Sequence, residues 1–338
     1  MLNILLTSVG RRTYMVNYFK DALAGIGKVH AANSTETYAM KKADKSVISP
    51  LIYDDNYIDF ILEYCHKYNI KAVISLFDID LPILAKNKEK FAEQGIKIVV
   101  SNLKFIEICN DKWLTYNFLR ENGFNTPRTF LEIDEVFDLI NRNSIVFPLI
   151  IKPRWGMGSI GIFQADNIEE LKVLYKKTSN SINESYLKFE SQKAPAHSVI
   201  IQEKLLGDEY GMDIFNDLKG NFLSIVSKKK LAMRAGETDS AIIIENENLN
   251  CIGEKISTLS KHIGNLDVDV FSYNNNFYIL EMNCRFGGQY PFSHLAGVNF
   301  PKALIKMLLN EKLDKTILNA KIGTVSIKDI VPVKLLNK

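Results

Sequence analysis

Apolar residues in the first third of the chain come in short blocks separated by segments with helical spacing. "NILLTS" (residues 3–8) is an apolar run ending at a Ser/Gly turn. "RRTYMVNYFKDALAGIG" (11–27) then carries apolar positions at helical intervals until its glycines stop it. The alternation repeats. "KVHAAN" (28–33) predicts a strand, "YIDFILEYCHKYNI" (57–70) a helix and "KAVISLF" (71–77) a strand. "DLPILAKNKEKFAEQGI" (80–96) predicts a helix and "KIVVS" (97–101) a further strand. Strands alternating with helices of roughly 10 to 15 residues imply a parallel sheet with helical crossovers.

The rhythm changes after residue 105. "NDKWLTYNFLRENGFNTPRTF" (110–130) predicts a helix closed by Asn-Gly, then a proline-bearing extended segment. Residues 132–145 and 167–182 read as helices, with a strand–loop–strand over 146–164 between them. Residues 197–217 read as two strands about a Gly-Asp turn, 220–233 as another strand and 302–313 as a late helix. This half is α+β with antiparallel hairpins, without internal repeats or low-complexity tracts.

The chain has 338 residues, 46% hydrophobic and 24% charged, which suits a globular protein of more than one packed unit. A net charge of +3 does not demand a nucleic-acid partner. Cys65, Cys109, Cys251 and Cys284 form no CxxC pair and no zinc-like spacing, which fits a reducing compartment. The N-terminal "MLNILLTSVGRR" lacks the basic start and long apolar run of a signal peptide. No stretch approaches the roughly 20 apolar residues of a membrane span. A cytoplasmic protein with neither nucleic-acid nor membrane partners is expected.

Four constellations carry chemistry. In "IIKPRWGMGSIGIF" (150–163), glycines at 156, 158 and 161 make a long connection between two apolar runs. Such a hairpin offers backbone N–H donors to phosphates, with Lys152 as a point charge, although it is not a Walker A sequence. A tight hairpin with a surface lysine has the same composition. In "FYILEMNCRFGGQYPF" (277–292), strand alternation puts Glu281 and Asn283 on one face, and Arg285 follows. Hard oxygen ligands of this kind suit Mg²⁺. Asp267 and Asp269 share a face of "LDVDVF" (266–271), and a hairpin across "YNNN" sets Asp269 beside Glu281. Such a pair needs a cation or a shared proton if buried. In "IIQEKLLGDEYGMDIF" (200–215), the edge at Gln202-Glu203-Lys204-Leu205 could bind adenine, or form only an acidic turn. Asp78 and Asp80 follow a strand end, where open α/β sheets bind ligands, or where a solvated loop caps a helix. The first strand–helix turn, "TSVGRRTYM", lacks G-x-G-x-x-G, so a dinucleotide is not expected there.

The order Lys112, Lys152 with its glycine loop, Gln202-Glu203-x-Leu205, Glu209, Asp269, then Glu281-x-Asn283-x-Arg285 resembles the ATP-grasp superfamily. The resemblance is to carbamoyl-phosphate-synthase-like and carboxylate–amine ligase members. It covers nearly the whole chain and is most specific at "EMNCRFGG" and "IIKPRWGMGSIGI". It implies an α/β and α+β architecture: a Rossmann-like parallel-sheet domain (1–108), then an ATP-grasp fold of two α+β subdomains. The small subdomain (109–198) would hold the glycine-rich loop, and the C-terminal one (199–338) the metal site.

The implied roles fall on individual residues. Lys112 and Lys152 would hold ATP phosphates, and the loop bearing Gly156, Met157, Gly158 and Ser159 would close over them. Gln202, Glu203, Lys204 and the backbone at Leu205 would bind adenine, and Glu209 the ribose. Asp269, Glu281 and Asn283 would bind two Mg²⁺ ions, with Mn²⁺ as an alternative metal. Arg285 and Lys152 would stabilise charge on the transferring phosphoryl group. Arg234, in "KKKLAMRAGETDSAI" (228–242), would grip a substrate carboxylate or lie in a solvated loop. Asp213 and "GGQYPFSHLAG" (287–297), with His294, are candidates for the acceptor site.

The implied activity is an ATP-dependent carboxylate–amine ligase acting through an acyl phosphate on an amino acid or small peptide. An ATP-grasp kinase and a non-catalytic ATP-binding module are the rivals, and a homodimer is compatible with the resemblance. Two departures stand out: Cys284 replaces the proline that often follows the metal asparagine, and Asp269 replaces a longer Gln or Glu. No doubled ATP-grasp half is present, so full carbamoyl phosphate synthesis is not expected.

Overall fold

A computed structural model describes residues 1–158 and 160–335, so the nucleotide-binding expectation for Ser159 lies outside the described residues. The chain begins with β1 (Asn3–Thr7), α1 (Thr13–Leu23), β2 (Val29–Asn33), α2 (Tyr38–Lys42) and β3 (Lys45–Ile48). It continues through α3 (Tyr57–Lys67), β4 (Ile70–Ser75), α4 (Asp80–Lys86), α5 (Lys88–Ala92) and β5 (Lys97–Ile98). The strands form one parallel sheet in the order β3-β2-β1-β4-β5. Every residue of β1 is buried, as expected of a central parallel strand covered on both faces.

The pattern anticipated β1, β2, β4 and β5 and the helices between them. It missed α2 and β3, because edge strand β3 is only four residues long and mostly exposed, with no buried face to set an apolar period. The helix expected over 80–96 breaks at Asn87 into α4 and α5.

The middle of the chain holds α6 (Leu103–Asn110), α7 (Lys112–Glu121), β6 (Thr129–Phe130), α8 (Ile133–Asn141) and β7 (Leu149–Pro153). Then come β8 (Phe163–Ala165), α9 (Ile168–Asn183), α10 (Leu187–Ser191) and β9 (Val199–Glu203). The four strands form an antiparallel sheet in the order β6-β9-β7-β8. Leu149, Ile151 and Ile201 of this sheet pack with Val136, Leu171 and Ile182 of α8 and α9 in a core of their own.

The last part contains β10 (Glu209–Asn216), β11 (Phe222–Arg234), β12 (Glu237–Ile244), α11 (Glu247–Ser260) and β13 (Gly264–Tyr273). It ends with β14 (Asn276–Asn283), α12 (Tyr290–Leu295), α13 (Phe300–Leu308) and β15 (Val325–Ile327). Its strands form a six-stranded antiparallel sheet in the order β14-β13-β10-β11-β12-β15. This sheet shares cores with the parallel sheet. Ile4, Leu6 and Phe19 join one cluster with Phe215, Ile243 and Phe300, while Leu5, Ile61 and Val73 join another with Met212, Leu266 and Met282.

Two expectations for this half need correction. β9 and β10 are not a hairpin: β9 pairs with β6 and β7, whereas β10 pairs with β11 and β13. Residues 204–208 therefore cross from one sheet to the other. The segment 228–242 is no loop either, because its halves pair as the antiparallel β11–β12 ladder. Helix α11, missed in the sequence, packs beneath β10 and β11, with its Gly253 against Ile214 and Ile225.

Candidate active site

The hairpin of β13 and β14 sets the register on which the site depends. Asp269 pairs with Glu281 and Asp267 with Asn283, as the spacing across "YNNN" predicts. The ladder shifts between Asp269 and Val270, whose partner is Ile279, leaving Leu280 as the extra residue of a bulge. Ile279 and Met282 both point into the core, so the bulge turns Leu280 and Glu281, two consecutive residues, away from it.

Those two residues line two different clefts. Leu280 helps to form a cleft of about 190 Å³ between the antiparallel sheets. Its apolar walls include Ile150, Ile162, Leu205 and Phe271, and its polar lining is Lys152, Gln202, Glu203 and Lys204. The strand crossing at 204–208 bounds this slot, because it carries the chain from β9 to β10 past the end of β13, where Ser272 N donates to Asp208 O. Glu281 lines the second, tighter cleft, with a volume of about 20 Å³, together with Asn283, Lys112, Gly156, Met157 and Asp78. All four residues of the expected adenine edge meet in the first cleft, and most expected phosphate and metal groups in the second.

The lysines are held differently. Lys152 is buried on β7 and donates to Gln202 Oε1 at 2.7 Å. Burial, reinforced by Lys112, pulls its pKa down to about 7, against the pull of Glu281. Lys112 starts α7, donates to Gly156 O at 2.6 Å and stands 3.8 Å from Glu281 Oε2. Burial alone would raise the Glu281 pKa, but Lys112, Lys152 and Arg285 outweigh it and hold it below the ordinary value. A lone carboxylate therefore stays ionised between two lysines.

The glycine loop is anchored at its root. Asp111 caps α7 by accepting from Trp113 N, and grips Arg154 bidentately, both bonds at 2.7 Å. Arg154 lies over the ring of Trp155, which is itself buried. Gly158 and Gly161 adopt positive φ, which favours glycine in this loop.

Arg285 is engaged by protein carboxylates. It donates to Asp78 Oδ2 from Nε at 3.0 Å and Nη2 at 2.7 Å, and to Asp267 Oδ2 at 3.3 Å. Burial opposes its charge, but Asp78 and Asp267 raise its pKa further still. Asp267 is pushed up to about 7 by burial first and then by Asp269. Gln289 donates to Asp267 Oδ1 and also reaches Asp269 Oδ1 at 3.3 Å. Gly211 permits this approach, since a Cβ there would lie 1.7 Å from the Gln289 amide oxygen.

Other expected residues stand apart. Arg234 sits at the β11–β12 tip, largely exposed and paired with Asp239, and lines neither cleft. Asp213 is buried against Lys228, Ser293 and Asn265 and has no exposed face for an acceptor. His294 stacks on Tyr18 of α1 with ring centroids 3.6 Å apart, away from both clefts. Asp80 is buried and accepts from Thr7, Ser8, Tyr57 and Ser75, so it fills the strand-end crevice. Asp78, by contrast, lines the tighter cleft.

Sequence reading missed Lys230. It is nearly buried on β11, with Nζ 2.7 Å from Asp269 Oδ1 and 3.4 Å from Glu209 Oε2. Strand alternation across Lys228-Lys229-Lys230 carried the signal, since it sends the first and third lysines to one face.

The donor set suits a hard divalent cation. Asp269 and Glu281 face each other on partly exposed side chains, and Asn283 donates its amide N–H to Glu281 while its amide oxygen remains as a further hard donor atom. Among the described residues, no three His, Cys, Asp or Glu side chains converge as a complete metal cage. Mg²⁺ does not require one, because it takes one or two carboxylates and completes its shell with waters and phosphates.

Comparison with known proteins follows the same lines. Residues 109–289 match the profile described as the ATP-grasp domain, and residues 4–99 that of the PylC-like N-terminal domain. The chain belongs to the ATP-grasp family. Within that family its sequence relatives are carbamoyl phosphate synthase large chains. It is 25% identical over 293 residues to the one from Pseudothermotoga lettingae, covering 82% of this chain and 24% of that protein. It is 22% identical over 286 residues to the one from Helicobacter pylori, covering 81% of this chain and 25% of that protein. The chain thus spans about a quarter of the length of these relatives.

The ATP-grasp fold extends to solved structures. The L-amino acid ligase from Bacillus licheniformis has a TM-score of 0.74 at 19% identity, covering 99% of this chain and 82% of that one. The biotin carboxylase domain of Hydrogenobacter thermophilus 2-oxoglutarate carboxylase, a dimer solved with MgADP and bicarbonate, has a TM-score of 0.71 at 18% identity. That match covers 93% of this chain and 71% of that one. N5-carboxyaminoimidazole ribonucleotide synthetase from Thermotoga maritima has a TM-score of 0.68 at 17% identity, covering 96% and 80%. Among the described residues, no helix is long and apolar enough to cross a membrane.

Proposed function

We propose that this ATP-grasp protein is an ATP-dependent ligase that joins a carboxylate to an amine through an acyl phosphate. The observation that carries the reading is the bulge that sends Leu280 into one cleft and Glu281 into the next. An apolar slot wide enough for a planar base abuts a narrow, charged cleft holding Lys112, Glu281 and Asn283. That is the division an adenine nucleotide needs between its base and its phosphates.

In this reading the base enters the slot beside Glu203 and Leu205, Glu209 takes the ribose, and Lys112 and Lys152 take the phosphates. Asp269, Glu281 and Asn283 would hold Mg²⁺, which would supply positive charge to the phosphate oxygens. Phosphoryl transfer depends mainly on positioning and charge neutralisation. The substrate carboxylate attacks the γ-phosphorus of ATP and ADP leaves. The amine attacks the acyl carbon, phosphate departs, and an amide remains with loss of a proton. Arg154 and Asp111 fix the root of a loop that shields the acyl phosphate from water.

Arg285, committed to Asp78 and Asp267, acts on the reacting charge through the orientation of those carboxylates. The fold match to an L-amino acid ligase over 99% of this chain favours amino acids or small peptides as substrates.

The test is ADP release from Mg-ATP against amino acids, singly and in pairs, with mass spectrometry of products and Glu281→Ala as control. ADP that appears only with a particular pair, together with a dehydrated conjugate, supports the ligase. A phosphorylated single substrate contradicts it.

A further inference from the structure

The four-stranded sheet and its helices have a core of their own, so their hold on the parallel-sheet part is a surface contact and not shared packing. Among the described residues, a single hydrogen bond joins residues 1–101 to residues 129–203. Tyr53 OH donates to Glu190 Oε1 at 3.3 Å. The Tyr53 ring also stacks on Phe189, with centroids 4.5 Å apart and planes 25° from parallel. Burial and then the Glu190 carboxylate raise the Tyr53 pKa, so the phenol stays protonated and remains a donor.

Both sides of this contact are placed to transmit force. Tyr53 stands in the turn between β3 and α3. The turn is braced by Asp54 Oδ2, which accepts from Leu51 N at 3.0 Å, and by buried Tyr57, which donates to Asp80 at 2.8 Å. Phe189 and Glu190 belong to α10. Glu190 Oε2 is taken by Lys193, which leaves Oε1 for Tyr53. Phe189 lies outside the subdomain core and is still 42% exposed, and Tyr53 is the aromatic ring that shelters it. On the other side of α10, Leu187 is buried against the glycine loop: a Cβ on Gly156 would meet it at 3.5 Å. Leu187 and Glu190 line the tighter cleft together with Trp155 and Gly156. A connected path therefore runs from Tyr53 through α10 to the root of the loop.

We propose that Tyr53 is a positioning residue of the nucleotide site, a latch by which the parallel-sheet part holds α10, and through Leu187 the glycine loop, closed on the tighter cleft. The latch rests on the reading of that cleft as the phosphate site, but its closure is measurable without nucleotide. A half-exposed stack with one hydrogen bond is weak enough to release. Such a pair biases an equilibrium by about twofold to tenfold.

Two measurements on the full chain test it. Hydrogen–deuterium exchange of the nucleotide-free protein compares the native chain with Tyr53→Ala, Phe189→Ala and Tyr53→Phe. Both alanine variants should speed exchange in residues 187–192 by about twofold to tenfold and leave β1 and β4 unchanged. Tyr53→Phe keeps the ring and should speed it less. Dissociation of a fluorescent ADP analogue with Mg²⁺, chased by unlabelled ADP, should accelerate by a similar factor and in the same order of variants. A merely structural contact would lower the melting temperature without moving the dissociation rate. Unchanged exchange in a folded Tyr53→Ala, or faster exchange with an unchanged dissociation rate, would overturn the latch while leaving the nucleotide site standing. A native chain that binds no nucleotide would overturn both. If Tyr53→Ala does not fold, Phe189→Ala, which alters the exposed ring, decides the matter.

Discussion

Lys230 Nζ lies 2.7 Å from Asp269 Oδ1, so the carboxylate that faces Glu281 across the β13–β14 ladder already has a cation beside it. Burial disfavours the ammonium, yet Asp269, Glu209 and Asp267 together hold its pKa above the ordinary lysine value. A metal ion at Asp269 therefore shares its ligand with a fixed positive charge. Lys230→Met should tighten Mn²⁺ binding, read by electron paramagnetic resonance, on the order of tenfold, because a charge this close typically shifts a group by about one to three pKa units. Unchanged or weaker binding in a folded variant would remove Asp269 from the metal site.

Lys152 carries a pH signature. Its folded pKa of about 7 lies below the ordinary lysine value of 10.5. The unfolded chain therefore takes up a proton in that window that the folded chain does not. Stability should decline as pH falls from 10.5 toward about 7, and level off below it. Lys152→Met should flatten that slope in denaturant melts. Nucleotide phosphates restore the charge, so ATP binding at pH near 8 should take up close to one proton. Calorimetry in buffers of different ionisation enthalpy reads this directly, and binding without proton uptake would exclude Lys152 from the phosphates.

Asp111 joins two functions, capping α7 and holding Arg154. Asp111→Ala should destabilise the chain by about 3 kcal/mol, combining a lost cap of about 1 kcal/mol with a broken buried ion pair. Asp111→Asn keeps the cap and should cost less. Urea melts that show equal losses would mean the cap contributes little and the Arg154 pair carries the loss.

Ile150 lines the slot between the antiparallel sheets and is only partly buried. Ile150→Trp should fill much of that slot and weaken ADP binding by about tenfold or more while the melting temperature changes little. Unchanged ADP affinity would move the base elsewhere.

Much of this was legible in the sequence. The parallel sheet announced itself because central strands buried on both faces, such as β1 and β4, must be continuously apolar. Asp269 beside Glu281 followed from two-residue alternation and a short hairpin. The bulge at Leu280 was not legible, because a local ladder shift leaves no periodic mark, yet it decides which cleft each residue enters. The crossing between β9 and β10 was also hidden. A Gly-Asp pair between two strands looks the same whether the strands pair with each other or with different sheets. Arg285 was read as a free phosphate ligand because Asp78, 207 positions away in sequence, gives no local sign of its grip. Arg234 had the right charge, but hairpin geometry carried it to an exposed tip.

In the proposed reaction a carboxylate is activated as an acyl phosphate in the cleft beside Glu281. Amino acids labelled with ¹⁸O in both carboxylate oxygens, supplied with Mg-ATP as a mixture, test it most directly. The attacking oxygen becomes the bridge to phosphorus and leaves with the phosphate when the amine displaces it. Released phosphate should carry one ¹⁸O atom per ADP formed, and Glu281→Ala should release none. Unlabelled phosphate, or phosphate retained on the acceptor, would contradict it.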